Sequence, residues 1–338
     1  MYKISNLKEL KDIVQFLPEC DEETKALARL RQNELTKPPG SLGRLEELAI
    51  WLCAWQSRER PRLDRIQALV FAGNHGVTAQ GISAFPAEVT AQMVANFKQG
   101  GAAINQLCKS VGAKLEVIAL ELDTPTQDFT NAPALDEQEF LTCINTGMGA
   151  VDSRADCLIV GEMGIGNSTV AAAVCYGLFG GKPEDWVGPG TGVDADGMKR
   201  KVLVLKQGYE QHKEVLDDPF EVLRCLGGRE LVAITGAVLA ARLANIPVIL
   251  DGYISTAAVS PLEIIMPAAL DHCVVAHRSS EPGHDALLKR INKEPLLDLD
   301  MRLGEGSGAA VAAMILKSAI AVHNGMATFA QAGVSGKS

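Results

Sequence analysis

Along the first sixty residues the apolar positions recur at helical spacing. Leu7, Leu10, Ile13 and Val14 form one stripe, and Leu45, Leu48, Ile50 and Leu52 another, both set among charged residues. Between them Lys37-Pro38-Pro39-Gly40-Ser41-Leu42-Gly43-Arg44 must be irregular, because proline and glycine interrupt regular structure. From Ile66 the texture changes to short apolar runs alternating with longer helical patterns. The pattern predicts strands over Ala68–Ala72, Leu115–Leu120, Cys157–Val160, Val248–Leu250 and Cys273–Ala276. It predicts helices over Ala87–Lys98, Ser168–Leu178, Gly197–Gln211, Glu230–Ala244, Thr256–Leu270 and Ser307–His323. Continuous rather than alternating apolar strands imply a sheet covered on both faces. Their alternation with helices makes the chain an α/β protein with a mostly parallel, doubly wound sheet. The expected division is a small helical domain from residues 1–60 with 306–338, and an α/β domain over residues 61–305.

Composition narrows the function. The 338 residues carry Lys+Arg 32 against Asp+Glu 41, a net charge of −9. An acidic chain without a basic run is a poor match to a nucleic-acid backbone, although backbone dipoles and one or two cations suffice for a small anion. No membrane span and no apolar signal-peptide core are expected. The eight cysteines are scattered without a CxxC, and several sit inside apolar runs, so buried reduced thiols in a cytoplasmic protein are expected.

In doubly wound sheets ligands bind beyond the carboxyl ends of the strands. Four loops fit that place. Gly73-Asn74-His75-Gly76-Val77 follows the first strand, and Gly161-Glu162-Met163-Gly164-Ile165-Gly166-Asn167-Ser168-Thr169 follows Cys157–Val160. Gly188-Pro189-Gly190-Thr191-Gly192-Val193-Asp194 precedes a helix that carries Lys199, Arg200 and Lys201. Leu303-Gly304-Glu305-Gly306-Ser307-Gly308 opens the last helix. Glycines let the backbone turn tightly and present the free amides of a new helix to an anion.

Familiar nucleotide motifs fail here. After Gly164-Ile165-Gly166 the third glycine of a dinucleotide fingerprint is replaced by Thr169, and Gly336-Lys337-Ser338 lacks both the first P-loop glycine, Gln331 standing there, and a following helix. His272, His277 and His284 with Glu281 between them read as a polar loop after a strand rather than as metal ligands. Neither a metal nor a cofactor is expected. Glu305 is a carboxylate with no neighbouring side chains to cover it, so that backbone or ligand can approach closely. A first-turn helix acid accounts for it as well as a catalytic group does.

Taken together the loops are specific. Lys37–Glu46, Ala72–Val77, Ser83-Ala84-Phe85-Pro86 with Val89–Met93, Gly161–Thr169, Gly188–Gly192, Asp251-Gly252-Tyr253, His277–His284 and Asp300–Gly308 closely resemble, in order and spacing, the nicotinate-nucleotide–dimethylbenzimidazole phosphoribosyltransferase family. The resemblance runs from about Lys37 to the last helix. It implies a Rossmann-like parallel sheet, a small helical domain from both chain ends, and a homodimer. It implies transfer of ribose 5-phosphate from nicotinate mononucleotide to 5,6-dimethylbenzimidazole, with Glu305 as general base and Glu162 and Lys201 as further catalytic residues. Ser83 and Gln92 fall on azole-pocket positions, with Met163 and Leu303 near the ring. Gly164, Gly166, Asn167, Ser168, Thr169, Gly190, Thr191, Gly192 and Gly304 are expected in the substrate loops. A nucleotide-binding or sensor protein of the same fold without catalysis is the alternative, and a nucleotide-dependent oxidoreductase is disfavoured by the missing fingerprint.

Overall fold

The computed structural model describes residues 3–190 and 192–335, so Thr191 and the P-loop-like tail at 336–338 lie outside the described residues. Its centre is a six-stranded sheet. The strands are β1 (Ile66–Ala72), β2 (Ala113–Ala119), β3 (Cys157–Met163), β4 (Val248–Leu250), β5 (Cys273–His277) and β6 (Pro295–Leu297), in the order β2-β1-β3-β4-β5-β6. Every pairing is parallel, with Ile66 opposite Cys157 and Ala72 opposite Met163. The order reverses between β1 and β3, which leaves a crevice at their carboxyl ends.

The helices are α1 (Leu7–Gln15), α2 (Glu22–Glu34), α3 (Arg44–Gln56), α4 (Glu88–Gln99), α5 (Ala103–Val111), α6 (Glu137–Ala150), α7 (Asn167–Phe179), α8 (Ala195–His212), α9 (Pro219–Leu226), α10 (Arg229–Leu243), α11 (Tyr253–Ile265), α12 (Gly283–Arg290), α13 (Ser307–Gly325) and α14 (Phe329–Ala332). Side chains of a strand alternate between faces. Leu69, Phe71, Leu158 and Val160 point into a core shared with α6, α7, α10 and α11. Ala68, Val70, Ala72, Cys157 and Ile159 point into a second core with α3, α5 and α13. The central strands β1 and β4 are buried along their whole length, which is why they read as unbroken apolar runs. β2, at the edge, alternates between half-buried and exposed positions.

Several elements depart from the sequence pattern. β6 escaped it: it is three residues long and opens on Pro295, which only an edge strand tolerates. α11 begins at Tyr253 and stops at Ile265 rather than reaching Leu270, because Pro267 disfavours helical geometry at Met266. α6 is announced by a capping box, Asp136 with Glu139. One helix, α13, is long and apolar enough to cross a membrane by length and composition alone, with 19 residues and a mean hydropathy of 1.2. Here it is a core helix, packed on β3, β4 and β5 and on α3 and α5.

Both chain ends meet where Leu35 bridges Thr328 and the Arg31 guanidinium donates to the His323 carbonyl. α13 shares its core with the sheet as well as with α3, α1 docks elsewhere, on α11, and Ile4 ahead of it pairs with Asn145 of α6. The separate helical unit over 1–60 and 306–338 therefore remains a proposal. All eight cysteines are free thiols, seven of them buried.

α6 and α10 cross at glycine. A Cβ on Gly147 would lie 1.8 Å from the Ala233 carbonyl oxygen, and one on Gly236 would lie 2.2 Å from that of Ile144. Gly147→Ala should cost about 1–3 kcal/mol, despite alanine's better helix propensity, because two backbones must separate. A lowered urea midpoint checks this; an unchanged midpoint would refute the close crossing.

Candidate active site

The loops after β1, β3, β4 and β5 converge on one cleft, joined by residues 188–193 and by the segment leading into α13. Ser83, Glu162, Met163, Gly164, Gly166, Asn167, Ser168, Gly190, Lys201, Leu303 and Gly304 all line it. Thr169 is fully buried behind them, and Gly192 lies in its loop just off the lining. Gln92 is exposed on α4 and does not reach the lining. Glu305 sits next to Gly304, off the lining, with its side chain 4 % exposed.

One part of the lining gathers a cation and helix amides. Gly166, with φ +87°, ends the turn and opens α7, so Ser168 stands in its first turn, where backbone amides point outward. The Lys201 ammonium, 2 % exposed, donates to the Gly188 carbonyl at 2.8 Å and to Ser168 Oγ at 3.2 Å. Burial lowers its pKa and the nearby Glu281 carboxylate opposes that fall. Glu281 accepts from the Gly190 amide at 2.9 Å, and Arg302 donates to the Gly190 carbonyl at 2.9 Å. Gly190 is required: its φ is +54°, and a Cβ would lie 2.8 Å from Ser168 Oγ and 3.1 Å from Lys201 Nζ.

Another part brings acids together. Glu162 closes β3 and accepts a hydrogen bond from Asn167 Nδ2 through Oε2. Burial, then the charge of Asp251, pushes its pKa up to about 8. Burial also raises Glu305, to about 7, against the opposing Ile104 amide that donates to it. Glu305 Oε2 has no hydrogen-bond partner among the described residues. Its backbone is strained: Gly304, Glu305 and Gly306 have φ of +83°, +65° and +79°, and a glutamate in the left-handed region costs about 1 kcal/mol. The Glu305 amide donates to the Glu162 carbonyl at 3.1 Å, so the two acids are tied through the backbone.

Asp251, directly after β4, fixes this arrangement. It accepts from the Gly306 amide at 3.1 Å and the Ala309 amide at 2.9 Å, with Gly308 also donating. His277 Nε2 lies 3.8 Å away. Burial raises the Asp251 pKa, while His277 and the amides at the head of α13 oppose the rise. Behind Gly164, His75 Nε2 lies 2.8 Å from Glu230 Oε1 in full burial. Gly73, Gly164 and Gly228 make room for that pair, since a Cβ on any of them would fall within 3.1 Å of it.

Asp251, Glu281, Arg302 and His277 carry no assigned role in the sequence reading. A polar residue straight after an apolar strand is the one local signal, and Asp251 and His277 both give it. The sequence-adjacent histidines part company in the fold: His272 bonds the Val238 carbonyl and His284 accepts the Ser279 amide. Among the described residues no group of three or more His, Cys, Asp or Glu is placed to hold a metal.

Asp251→Asn keeps the size but replaces one acceptor oxygen by a donor facing the helix amides. It should weaken the head of α13 by about 1 kcal/mol, the scale of a lost cap. Amide exchange at Gly306, Gly308 and Ala309 should quicken; unchanged protection there would remove Asp251 from this role.

The chain is similar to known proteins over nearly its whole length. A phosphoribosyltransferase family profile matches residues 17–334. A nicotinate-nucleotide–dimethylbenzimidazole phosphoribosyltransferase of Ruegeria pomeroyi is 56% identical over 332 residues, covering 98% of each chain. One from Rhodobacter capsulatus is 55% identical over 335 residues, covering 99% of this chain and 100% of that one. The crystal structure of CobT from Thermus thermophilus superposes with a TM-score of 0.86 at 40% identity, covering 93% of this chain and 100% of that chain. The chain belongs to the nicotinate-nucleotide–dimethylbenzimidazole phosphoribosyltransferase family, with the phosphoribosyltransferase activity of cobalamin synthesis.

Proposed function

We propose that the chain moves ribose 5-phosphate from nicotinate mononucleotide to 5,6-dimethylbenzimidazole, giving α-ribazole 5′-phosphate and nicotinate, in one displacement with Glu305 as base. The observation that carries this is the cleft's composition. Lys201, Ser168 and the head of α7 together suit a phosphate, and beside the lining residue Gly304 stands a buried carboxylate, Glu305, with an unpartnered oxygen.

The chemistry needs little else. An azole nitrogen attacks C1′ of the ribose from the face opposite nicotinate. The bond from C1′ to the pyridinium nitrogen breaks, and its electron pair neutralises that nitrogen, so no acid is required. The azole becomes cationic and loses its N–H proton to Glu305. A carboxylate with a pKa near 7 is ionised often enough to accept it and basic enough to be useful. Met163 and the exposed Leu303 offer apolar surface to a flat ring. The phosphate held by Lys201 and the α7 amides fixes the ribose, and such positioning contributes several kcal/mol. A homodimer in the cytoplasm is part of the same reading.

Glu305→Gln should fold normally and lose on the order of 10²–10⁴ in turnover. The assay follows nicotinate release and azole ribotide formation; turnover at the wild-type rate would rule Glu305 out as base. Lys201→Ala should weaken nicotinate mononucleotide far more than free azole by calorimetry. Equal weakening of both would argue against a phosphate contact.

A further inference from the structure

The displacement above leaves Glu162 without a task, although it lines the cleft beside Met163 and Gly164. Its surroundings are acidic on every side. Asp251 approaches from the end of β4, Glu305 from the α13 loop and Glu230 from α10. The imidazoles at hand are already engaged: His75 after β1 faces Glu230, and His277 at the end of β5 faces Asp251. From α7 comes one neutral donor, Asn167 Nδ2, to Oε2. No lysine or arginine pairs with Glu162 among the described residues. The other oxygen, Oε1, lies against Gly304, where a Cβ would come within 2.5 Å of it.

Buried carboxylates that share a site cannot all ionise, and the one without a cation or amide cluster keeps its proton. Asp251 has the helix amides, and Glu305 has the Ile104 amide. Glu162 and Glu305 have one neutral donor each, but three carboxylates act on Glu162 and one on Glu305. With Oε2 accepting from Asn167, the proton falls on Oε1, on the Gly304 side. Its two oxygens face Asn167, the neighbour of Ser168, and Gly304, the neighbour of Leu303, so Glu162 adjoins both the groups suited to a phosphate and the apolar surface suited to a ring.

We propose that Glu162 works in its protonated form, as a neutral hydrogen-bond donor to an oxygen of the donor's ribose, leaving Glu305 alone as the base. This rests on the phosphoribosyl-transfer reading. It gives the two acids opposite duties from one shared burial, and it keeps a second negative charge away from a phosphorylated substrate. The shifts agree in order, Glu305 ionising near 7 and Glu162 near 8.

Glu162→Gln and Glu162→Ala, compared with Glu305→Gln, test it. In the wild type, turnover should rise through about pH 7 as Glu305 loses its proton and fall above about pH 8 as Glu162 does. Glu162→Gln stays neutral and keeps a donor, so it should remain within about tenfold of wild type and lose the alkaline fall. Glu162→Ala should lose on the order of 10²-fold, the effect of removing one aimed donor. A folded Glu162→Gln enzyme as inactive as Glu305→Gln, or one that keeps the alkaline fall, would overturn the proposal. Calorimetry of nicotinate mononucleotide binding to the wild type near pH 8.5, in buffers of different ionisation enthalpy, supplies a second reading: proton uptake is expected, and release or no change would also overturn it. Absence of wild-type turnover would overturn the transfer reading itself, and the proton count would then still decide the state of Glu162.

Discussion

The grip of Asp251 on the head of α13 is the contact on which the site depends. A carboxylate buried this completely costs several kcal/mol to desolvate. The amides of Gly306, Gly308 and Ala309, the positive end of a 19-residue helix and the neighbouring His277 offset that cost together. The contact needs bare backbone on both sides. A Cβ on Gly308 would fall 2.0 Å from His277 Cδ2, one on Gly252 2.8 Å from His277 Nε2, and one on Gly161 2.2 Å from the Gly306 amide nitrogen. The glycines of these loops thus serve close approach of the last helix to the sheet as well as access for a ligand. Once the helix is held there, residues 304–306 must turn through left-handed geometry to reach it, and Glu305 is carried into burial beside the end of β3.

The same carboxylate sets the electrostatics. Burial raises the Asp251 pKa against the helix amides and His277, and the Asp251 charge in turn raises both Glu162 and Glu305. Around the Lys201 ammonium the logic is inverted. Lys201 is buried with only neutral acceptors in contact, and Glu281, clipped to the Gly190 amide, holds its charge from a distance. A tight ion pair there would occupy the ammonium within the protein, whereas a remote carboxylate leaves it without an anionic partner in contact.

The readable part of this design was the part written locally. Continuous apolar runs marked β1, β3, β4 and β5, and glycine clusters marked the loops at their ends. Glu305 stood out between two glycines, yet nothing local separated a base from a first-turn acid. The unpartnered oxygen and the Asp251 field belong to the fold alone, and Asp251 lies 55 residues from Gly306 in sequence. Glu281 meets Gly190 across 91 residues. His75 and Glu230 come from β1's end and from α10, and no spacing rule joins them. Hydrophobic pattern also misjudged what tertiary packing decides. β6 is too short and too near a proline to announce itself, and α13 is apolar enough to pass for a membrane span because the sheet buries it.

Sheet topology explains why the acids gather where they do. The strand order reverses between β1 and β3, so the helices following those strands depart to opposite faces and leave the crevice open above them. β3 is therefore flanked by strands on both sides and yet ends at an opening. A residue at its last positions is dry below and reachable above. Glu162 occupies that position, and its raised pKa follows from where it stands before any neighbour is considered, burial being the largest cause. Had the glutamate stood at the end of β2 or β6, water would have reached it from the edge and held it ionised. The central place buries Glu162 among more acids than act on Glu305, and burial is the largest cause of the raised pKa of each.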